Sequence, residues 1–223
     1  MEIKIIPEDD TSSSIFIYIP NFMDVQEQQY YLHALNNIED FKDNKNWSEE
    51  KVIRLQKWYQ INGSYFCPKW KVKYKRWVSH PYPDFLLQLQ SDIQDHLQSI
   101  QMRCNELNIP EINSCLINKY RNGNDYIRPH RDTDMSFGKE PTVLGLSLGC
   151  DREIKFCRVK YNGHNTSNSK IDKEKSDLNF TQTLKSGSLF IMAGSSQKYF
   201  THEIPKSTKN QIRYSLTFRE FVV

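Results

Sequence analysis

Beyond Pro110 the chain is a succession of short apolar segments separated by turn residues, and this pattern constrains the fold more than any other feature. The segments are rich in Val, Ile, Leu, Phe and Tyr, which pleated sheets accommodate well. Many short strands that follow two helices indicate a β-sandwich or jelly-roll core with the helices packed outside it. The predicted strands are IFIYIP (15–20) near the start and then SCLINKY (114–120), TVLGLSLG (142–149), REIKFCRV (152–159), SGSLFIMA (186–193) and QIRYSLTF (211–218).

Two helices are predicted ahead of this β-rich half. Asp24 stands three residues before Glu27, which is the spacing of a capping box at a helix N-terminus. After the HPYPD breaker (80–84), apolar residues recur at helical spacing from Phe85 to Ile100. Helices and strands together predict an α+β, mainly β fold with flanking N-terminal helices.

The pattern of apolar residues changes near Pro110, and this change divides the chain into two predicted parts. Residues 1–109 are predicted to be an N-terminal extension with two helices and a basic, aromatic substrate-lid region, and residues 110–223 a β-rich domain. The polar segment YNGHNTSNSKIDKEKSD (161–177) has almost nothing to bury, so we interpret it as a mobile surface loop inserted between two strands.

Composition indicates the compartment. The cysteines number 5, an odd count, and no C-x-x-C occurs, so we expect reduced thiols in an intracellular protein of the cytoplasm or nucleus. No apolar run approaches the length of a membrane span, and the acidic start MEIKIIPEDD is unlike a secretory signal. We therefore expect no membrane association and no secretion. We also expect a monomer, although nothing in the composition determines the oligomeric state.

The stretch PHRDTD (129–134) carries His130, Asp132 and Asp134 at alternate positions. Alternate side chains of an extended chain leave the same face, so an imidazole and two carboxylates are expected close together. His202, which follows a predicted strand, is the natural third ligand for a metal bound by His130 and Asp132. Two histidines and one carboxylate form the facial triad of non-haem Fe(II) oxygenases. Most isolated H-x-D sequences are only polar surface residues, and that interpretation stays open on these residues alone.

The segment RYSLTFR (213–219) places Arg213 and Arg219 an even number of residues apart in a predicted strand, hence on one face. Two buried guanidiniums need anionic partners, and their forked geometry fits carboxylates. One arginine would bind the far end of a dicarboxylate cosubstrate, and the other would hold carboxylates beside the metal. Asn118 and Tyr120, on one face of another predicted strand, are further donors to a carboxylate.

With these residues in place, the chain resembles the AlkB family of Fe(II)- and 2-oxoglutarate-dependent dioxygenases. The residues that carry the resemblance are NKYRNGNDYIRPHRDTD (118–134), THEIP (201–205) and RYSLTFRE (213–220). The sequence is most similar to the nucleic-acid-repair branch, in which an N-x-Y strand precedes H-x-D-x-D/E. The resemblance implies a double-stranded β-helix (jelly-roll) core and makes 110–223 the dioxygenase domain.

The resemblance also implies roles for individual residues, with Fe(II) as the metal and 2-oxoglutarate and O₂ as cosubstrates. The Fe(II) ligands that it implies are His130, Asp132 and His202. The 2-oxoglutarate contacts that it implies are Asn118, Tyr120, Arg213, Thr217 and Arg219.

The implied substrate contacts are Asp134, Arg54, Tyr74 and Trp77. Asp134 would read the damaged base, although a solvated carboxylate beside the site is an equal alternative. Tyr74 would stack on an extruded base, with Trp77 as the second choice. The segment KWKVKYKRW (69–77) alternates lysines with apolar residues, as a half-solvated strand does, but cations beside aromatics also suit phosphate contact.

Three hypotheses follow. The preferred one is oxidative demethylation of bases such as 1-methyladenine and 3-methylcytosine in DNA or RNA, with succinate, CO₂ and formaldehyde as products. The second keeps the chemistry but changes the target to a protein side chain or a small molecule. The third is a non-catalytic nucleic-acid-binding module with a relic metal site.

Overall fold

The computed structural model describes residues 1–45, 51–61, 79–161, 163 and 170–222. The helices in these ranges are α1 (Val25–Asn36), α2 (Asp84–Gln101), the one-turn helices α3 (Asp134–Phe137) and α4 (Ser196–Tyr199), and a 3₁₀ helix (Lys173–Leu178). The strands are β1 (Glu2–Pro7), β2 (Ser13–Ile19), β3 (Lys42–Lys45), β4 (Lys51–Gln60), β5 (Ser114–Tyr120), β6 (Ile127–His130), β7 (Val143–Gly149), β8 (Arg152–Arg158), β9 (Phe180–Leu184), β10 (Ser188–Gly194), β11 (Phe200–Ile204) and β12 (Arg213–Arg219).

Across the described ranges the strands form two antiparallel sheets. The major sheet has 8 strands in the order β1-β2-β10-β7-β12-β5-β4-β3, and the minor sheet has 4 in the order β6-β11-β8-β9. Non-sequential neighbours such as β10 and β2 bring distant parts of the chain together, as the crossings of a jelly roll require. The predicted mainly β jelly-roll fold with N-terminal helices is confirmed.

The period-2 alternation of the central strands separates a core from a cavity. On one face of β7, Leu144, Leu146 and Leu148 join the apolar cluster that α1 and α2 cover. On the other face, Gly145 and Ser147 line a cavity between the sheets. β12 behaves in the same way, with its apolar residues in the core and Arg213, Ser215, Thr217 and Arg219 in the cavity wall.

The local signals for the two long helices are confirmed. Asp24 accepts a hydrogen bond from the Glu27 amide at 2.8 Å, and the Glu27 carboxylate accepts one from the Asp24 amide at 2.8 Å. These reciprocal bonds satisfy two amides at the start of α1 that have no partner within the helix. The apolar stripe of α2 is buried, and its members are Leu86, Leu89, Ile93, Leu97 and Ile100.

The major sheet crosses the predicted boundary at residues 109 and 110. β1, β2, β3 and β4 come from the first part of the chain, and β4 pairs directly with β5 from the second. The two-part division stays a prediction. Within the segment 161–177, residues 162 and 164–169 lie outside the described ranges. The 3₁₀ helix (Lys173–Leu178) begins inside this segment and ends one residue beyond it.

The extended conformation predicted for PHRDTD ends earlier than expected. β6 stops at His130, and Asp134 is the first residue of α3. Pro129 provides no amide hydrogen to the ladder, and Asp134 is an acidic residue of the kind that favours a helix N-terminus. His130 and Asp132 therefore lie near each other without belonging to one continuous strand. Asp134 belongs to α3 and not to the extended segment.

Two further properties concern the described part of the chain. Its cysteines Cys104, Cys115, Cys150 and Cys157 carry free thiols. None of its helices combines the length and the apolar character needed to cross a membrane.

Candidate active site

The structure brings His130, Asp132 and His202 together at the edge of the minor sheet. His202 of β11 is the direct partner of His130 of β6, and their ring centroids are 4.2 Å apart. One potential ligand atom from each of the three residues lies within 4.8 Å of the others. Strand pairing thus joins two histidines that lie far apart in the sequence.

Arg219 holds the carboxylate of Asp132. Its Nε donates to Oδ2 at 2.9 Å and its Nη2 to Oδ1 at 3.3 Å, and both side chains are buried. Burial alone would raise the pKa of Asp132, but Arg219, with His202 and His130, outweighs burial and lowers that pKa below 3.8. The carboxylate is therefore ionised at neutral pH, as a metal ligand must be.

Both imidazoles are neutral at physiological pH. Burial, with His130 nearby, lowers the pKa of His202 from 6.5 to about 3, and burial also lowers the pKa of His130. The Nδ1 of His130 forms a hydrogen bond with the carbonyl oxygen of Arg128 at 3.0 Å. The other ring nitrogen, Nε2, is therefore left to bind a ligand. The buried Nδ1 of His202 has no hydrogen-bond partner among the described residues. Two neutral imidazoles and one carboxylate fit a divalent iron ion.

Beside the triad lies a cavity of about 650 Å³, including its opening to solvent. Arg213 lines it and is 1% exposed. Its Nη2 donates to the Ser147 hydroxyl at 2.8 Å and its guanidinium lies 5.0 Å from the Tyr120 ring centroid, but Nε and Nη1 have no hydrogen-bond partner in the described structure. Although burial lowers its pKa, Arg213 has donors to offer an anion.

Asn118 is held by two donors from the neighbouring strand β4. Arg54 Nε and Gln56 Nε2 both donate to Asn118 Oδ1, at 2.7 and 3.0 Å. With its oxygen engaged, Asn118 keeps its NH₂ group as a donor for a ligand in the cavity, which it lines together with Tyr120. A carboxylate is the ligand that such donors suit.

The four predicted substrate contacts differ in where the structure places them. Arg54 lines the cavity, but it also supports Asn118, a contact that the sequence did not indicate. Asp134 is half-buried at the start of α3 and does not belong to the cavity lining. Tyr74 and Trp77 lie outside the described residues.

Sequence reasoning missed three residues. The alternation Val143, Gly145, Ser147 between leucines could have revealed Ser147, because small and polar residues alternate there with core residues. Gln56 lies opposite Asn118 in the β4–β5 ladder, and Gln197 contacts the backbone of Asp132. Neither glutamine belongs to a pattern that would single it out.

Comparisons with known proteins agree with this geometry. The family model of the 2OG-Fe(II) oxygenase superfamily matches residues 16–219. "DNA oxidative demethylase ALKBH2" of Arabidopsis thaliana is 29% identical over 116 residues, 48% of this chain and 37% of that protein. "Alpha-ketoglutarate-dependent dioxygenase alkB homolog 3" of Homo sapiens is 27% identical over 211 residues, 93% of this chain and 66% of that protein. The chain thus spans less than two thirds of the length of either relative.

Solved structures share the fold. "The structure of OsALKBH1" aligns with a TM-score of 0.60 and 15% identity, covering 92% of this chain and 97% of that one. A Pseudomonas putida prolyl-4-hydroxylase aligns with a TM-score of 0.54 and 12% identity, covering 92% and 91%. At these identities the likeness concerns the architecture alone.

Proposed function

Because the chain belongs to the 2OG-Fe(II) oxygenase superfamily, and within it to the AlkB-like enzymes, we propose that it oxidatively demethylates N-alkylated nucleobases in DNA or RNA. The observation that carries the proposal is the His130–Asp132–His202 triad, which opens onto a cavity that contains a buried, incompletely paired arginine, Arg213. The triad is suited to bind a metal ion, and the cavity with Arg213 is suited to bind a dicarboxylate beside it.

In this proposal His130, Asp132 and His202 hold Fe(II), and Arg219 keeps Asp132 ionised and oriented. When bound, iron together with 2-oxoglutarate and O₂ supplies the oxidation of the N-methyl group, which leaves as formaldehyde. The protein contributes position and charge compensation rather than bond chemistry.

The residues in the cavity wall would hold 2-oxoglutarate. Arg213 pairs with its distal carboxylate, and Asn118 and Tyr120 add donors of the kind that a carboxylate accepts. Thr217 lies in the same wall between Arg213 and Arg219. The apolar residues of the lining keep water away from these charged groups. Their electrostatic interactions with the carboxylates of 2-oxoglutarate are therefore stronger than they would be in water.

Nucleic acid as the partner is supported by the name of the Arabidopsis thaliana relative, a DNA oxidative demethylase, and by the cations of the segment KWKVKYKRW (69–77). Asp134 is proposed to read the alkylated base, with Arg54 at the cavity wall. Tyr74 and Trp77 keep their proposed role as base-stacking residues. The monomeric state and the intracellular location stay predictions.

Formaldehyde release tests the proposal. The iron-loaded protein is incubated with 2-oxoglutarate and DNA or RNA oligonucleotides that contain 1-methyladenine or 3-methylcytosine, with His130→Ala as the metal-site control. We expect formaldehyde and succinate in equal amounts from the wild type and neither from the variant. Succinate without formaldehyde would refute the nucleobase substrate and favour the second hypothesis, a protein or small-molecule target. Absence of both products despite bound metal would refute the demethylation of these bases.

A further inference from the structure

The short helix α4 lies against the loop that carries Asp132. The Arg131 guanidinium donates to the carbonyl oxygen of Lys198 at 2.6 Å, and the Asp132 amide donates to Gln197 Oε1 at 2.9 Å. The helix ends at Tyr199, and β11 begins at the next residue and carries His202. The two segments that supply the metal ligands are thus joined by hydrogen bonds outside the triad as well as by the pairing of β6 with β11.

The hydrogen bond between the Asp132 amide and Gln197 Oε1 is shielded from solvent. Gln197 is 1% exposed, and Asp132 is 7% exposed, so water competes little for their bond. The other described hydrogen bond of the Gln197 side chain is from Nε2 to the Met192 sulfur at 3.6 Å. A thioether sulfur is a weak acceptor, so the bond to the Asp132 amide is the stronger of the two.

The Asp132 amide needs such a partner. β6 ends at His130, so the sheet ladder no longer provides an acceptor two residues later. A buried amide without an acceptor is unfavourable, and a chain that must bury one tends to shift until a partner is found. Gln197 removes that tendency. Asp132 is consequently fixed at both ends, by Gln197 at the backbone and by Arg219 at the carboxylate.

We propose that Gln197 is a positioning residue of the metal site, which sets the Asp132 carboxylate at the distance from the two imidazoles that a metal ion requires. The inference rests on the metal site of the proposed function. Gln197 acts through the Asp132 backbone and does not itself bind the metal. Partners that orient metal ligands commonly change metal affinity by about 10- to 100-fold when they are removed.

Mn(II) binding to the full chain, measured by calorimetry and by electron paramagnetic resonance, tests this without any turnover. Gln197→Leu removes the acceptor, and we expect its Mn(II) affinity to fall about 10- to 100-fold, with an altered resonance spectrum. Gln197→Glu keeps an acceptor oxygen at the same reach and should restore most of the affinity and the wild-type spectrum.

Gln28→Leu is the matched control. Gln28 also bridges two segments, since it accepts from the Ser186 hydroxyl at 2.7 Å and donates to the Met23 carbonyl at 3.1 Å, but it lies outside the cavity lining. Its replacement should lower the unfolding midpoint in urea and leave Mn(II) affinity unchanged. A general loss of stability would affect both leucine variants alike, whereas a positioning role affects metal affinity in Gln197→Leu only.

The outcomes separate this inference from the proposed function. Wild-type Mn(II) affinity and spectrum in a folded Gln197→Leu variant would overturn the role of Gln197 and leave the metal site standing. A wild-type protein that binds no Mn(II) would overturn both. Should Gln197→Leu fail to fold, Gln197→Asn replaces it, because the shorter amide cannot reach the Asp132 amide. Unchanged Mn(II) affinity in Gln197→Asn would equally overturn the inference.

Discussion

Arg219, which lines the cavity, forms a two-pronged ion pair with Asp132, with Nε to Oδ2 at 2.9 Å and Nη2 to Oδ1 at 3.3 Å. The Arg219 guanidinium also lies 4.8 Å from the ring centroid of Phe137, which fixes it against α3. A carboxylate this deeply buried would ordinarily take up a proton. The pair is therefore what makes Asp132 available as an anionic ligand.

Arg219→Gln removes the cation and leaves a buried carboxylate. We expect the free energy of unfolding of the metal-free protein to fall by about 3–5 kcal/mol, as when one partner of a buried ion pair is lost. Bound Mn(II) supplies a replacement cation, so the loss should be smaller when the metal is saturating. Urea unfolding with a chelator and with Mn(II) measures both values. Arg219→Lys keeps the charge without the fork and should lie in between. Equal losses in the two conditions would contradict this account of the pair.

Arg213→Met tests the cosubstrate end of the cavity. Arg213 is buried with two unpartnered nitrogens in the described structure, so replacing it by an apolar chain should leave the metal-free protein at least as stable as the wild type. The same change should weaken 2-oxoglutarate binding by at least about 30-fold, or about 2 kcal/mol, through loss of a buried charged contact. Calorimetry on the Mn(II)-loaded protein measures this, with Mn(II) affinity itself as the internal control. Unchanged 2-oxoglutarate affinity would remove Arg213 from the site.

The metal-free protein should lose stability in mild acid because of His202. Its pKa is about 3 when folded, below its ordinary value of 6.5, so the unfolded chain binds more protons between these values. The contribution of neutral His202 to the free energy of unfolding is therefore fully present above pH 6.5. It declines as the pH falls towards 3, by up to about 1.4 kcal/mol per pH unit. His202→Gln removes this titration, and its unfolding free energy should decline less steeply between pH 6.5 and 5. Urea unfolding with a chelator at several pH values gives both slopes, and identical slopes would contradict the prediction.

The sequence predicts faces better than it predicts partners. Strand alternation correctly put Arg213 and Arg219 on one side of β12, because the period of a strand is fixed by its backbone geometry. Alternation does not say where a strand ends. For that reason the continuous face predicted for His130, Asp132 and Asp134 breaks after His130, where β6 gives way to a loop and then to α3.

The sequence does not reveal hydrogen bonds between residues that lie far apart along the chain. Gln197 and Asp132 are 65 residues apart, and Arg54 and Asn118 are 64 apart. Each contact depends on which strands become neighbours, and many pairings satisfy the same apolar pattern. A lone glutamine in a polar turn carries no local signal of the partner that it meets after folding.

Asp134→Asn decides between the two interpretations of this carboxylate. Asp134 begins α3, whose backbone is tied to the end of the chain by the bond from the Val222 amide to the Ser136 carbonyl at 2.9 Å, so the substitution should leave the helix in place. If Asp134 accepts from the exocyclic amine of the base, kcat/KM for 3-methylcytosine should fall about 10- to 100-fold, the value of a hydrogen bond to a charged group. 3-Methylthymine has no such amine and should be affected far less, while Mn(II) and 2-oxoglutarate affinities stay at wild-type values. Formaldehyde release from oligonucleotides with either base measures the ratio, and equal effects on both would identify Asp134 as a solvated carboxylate beside the site.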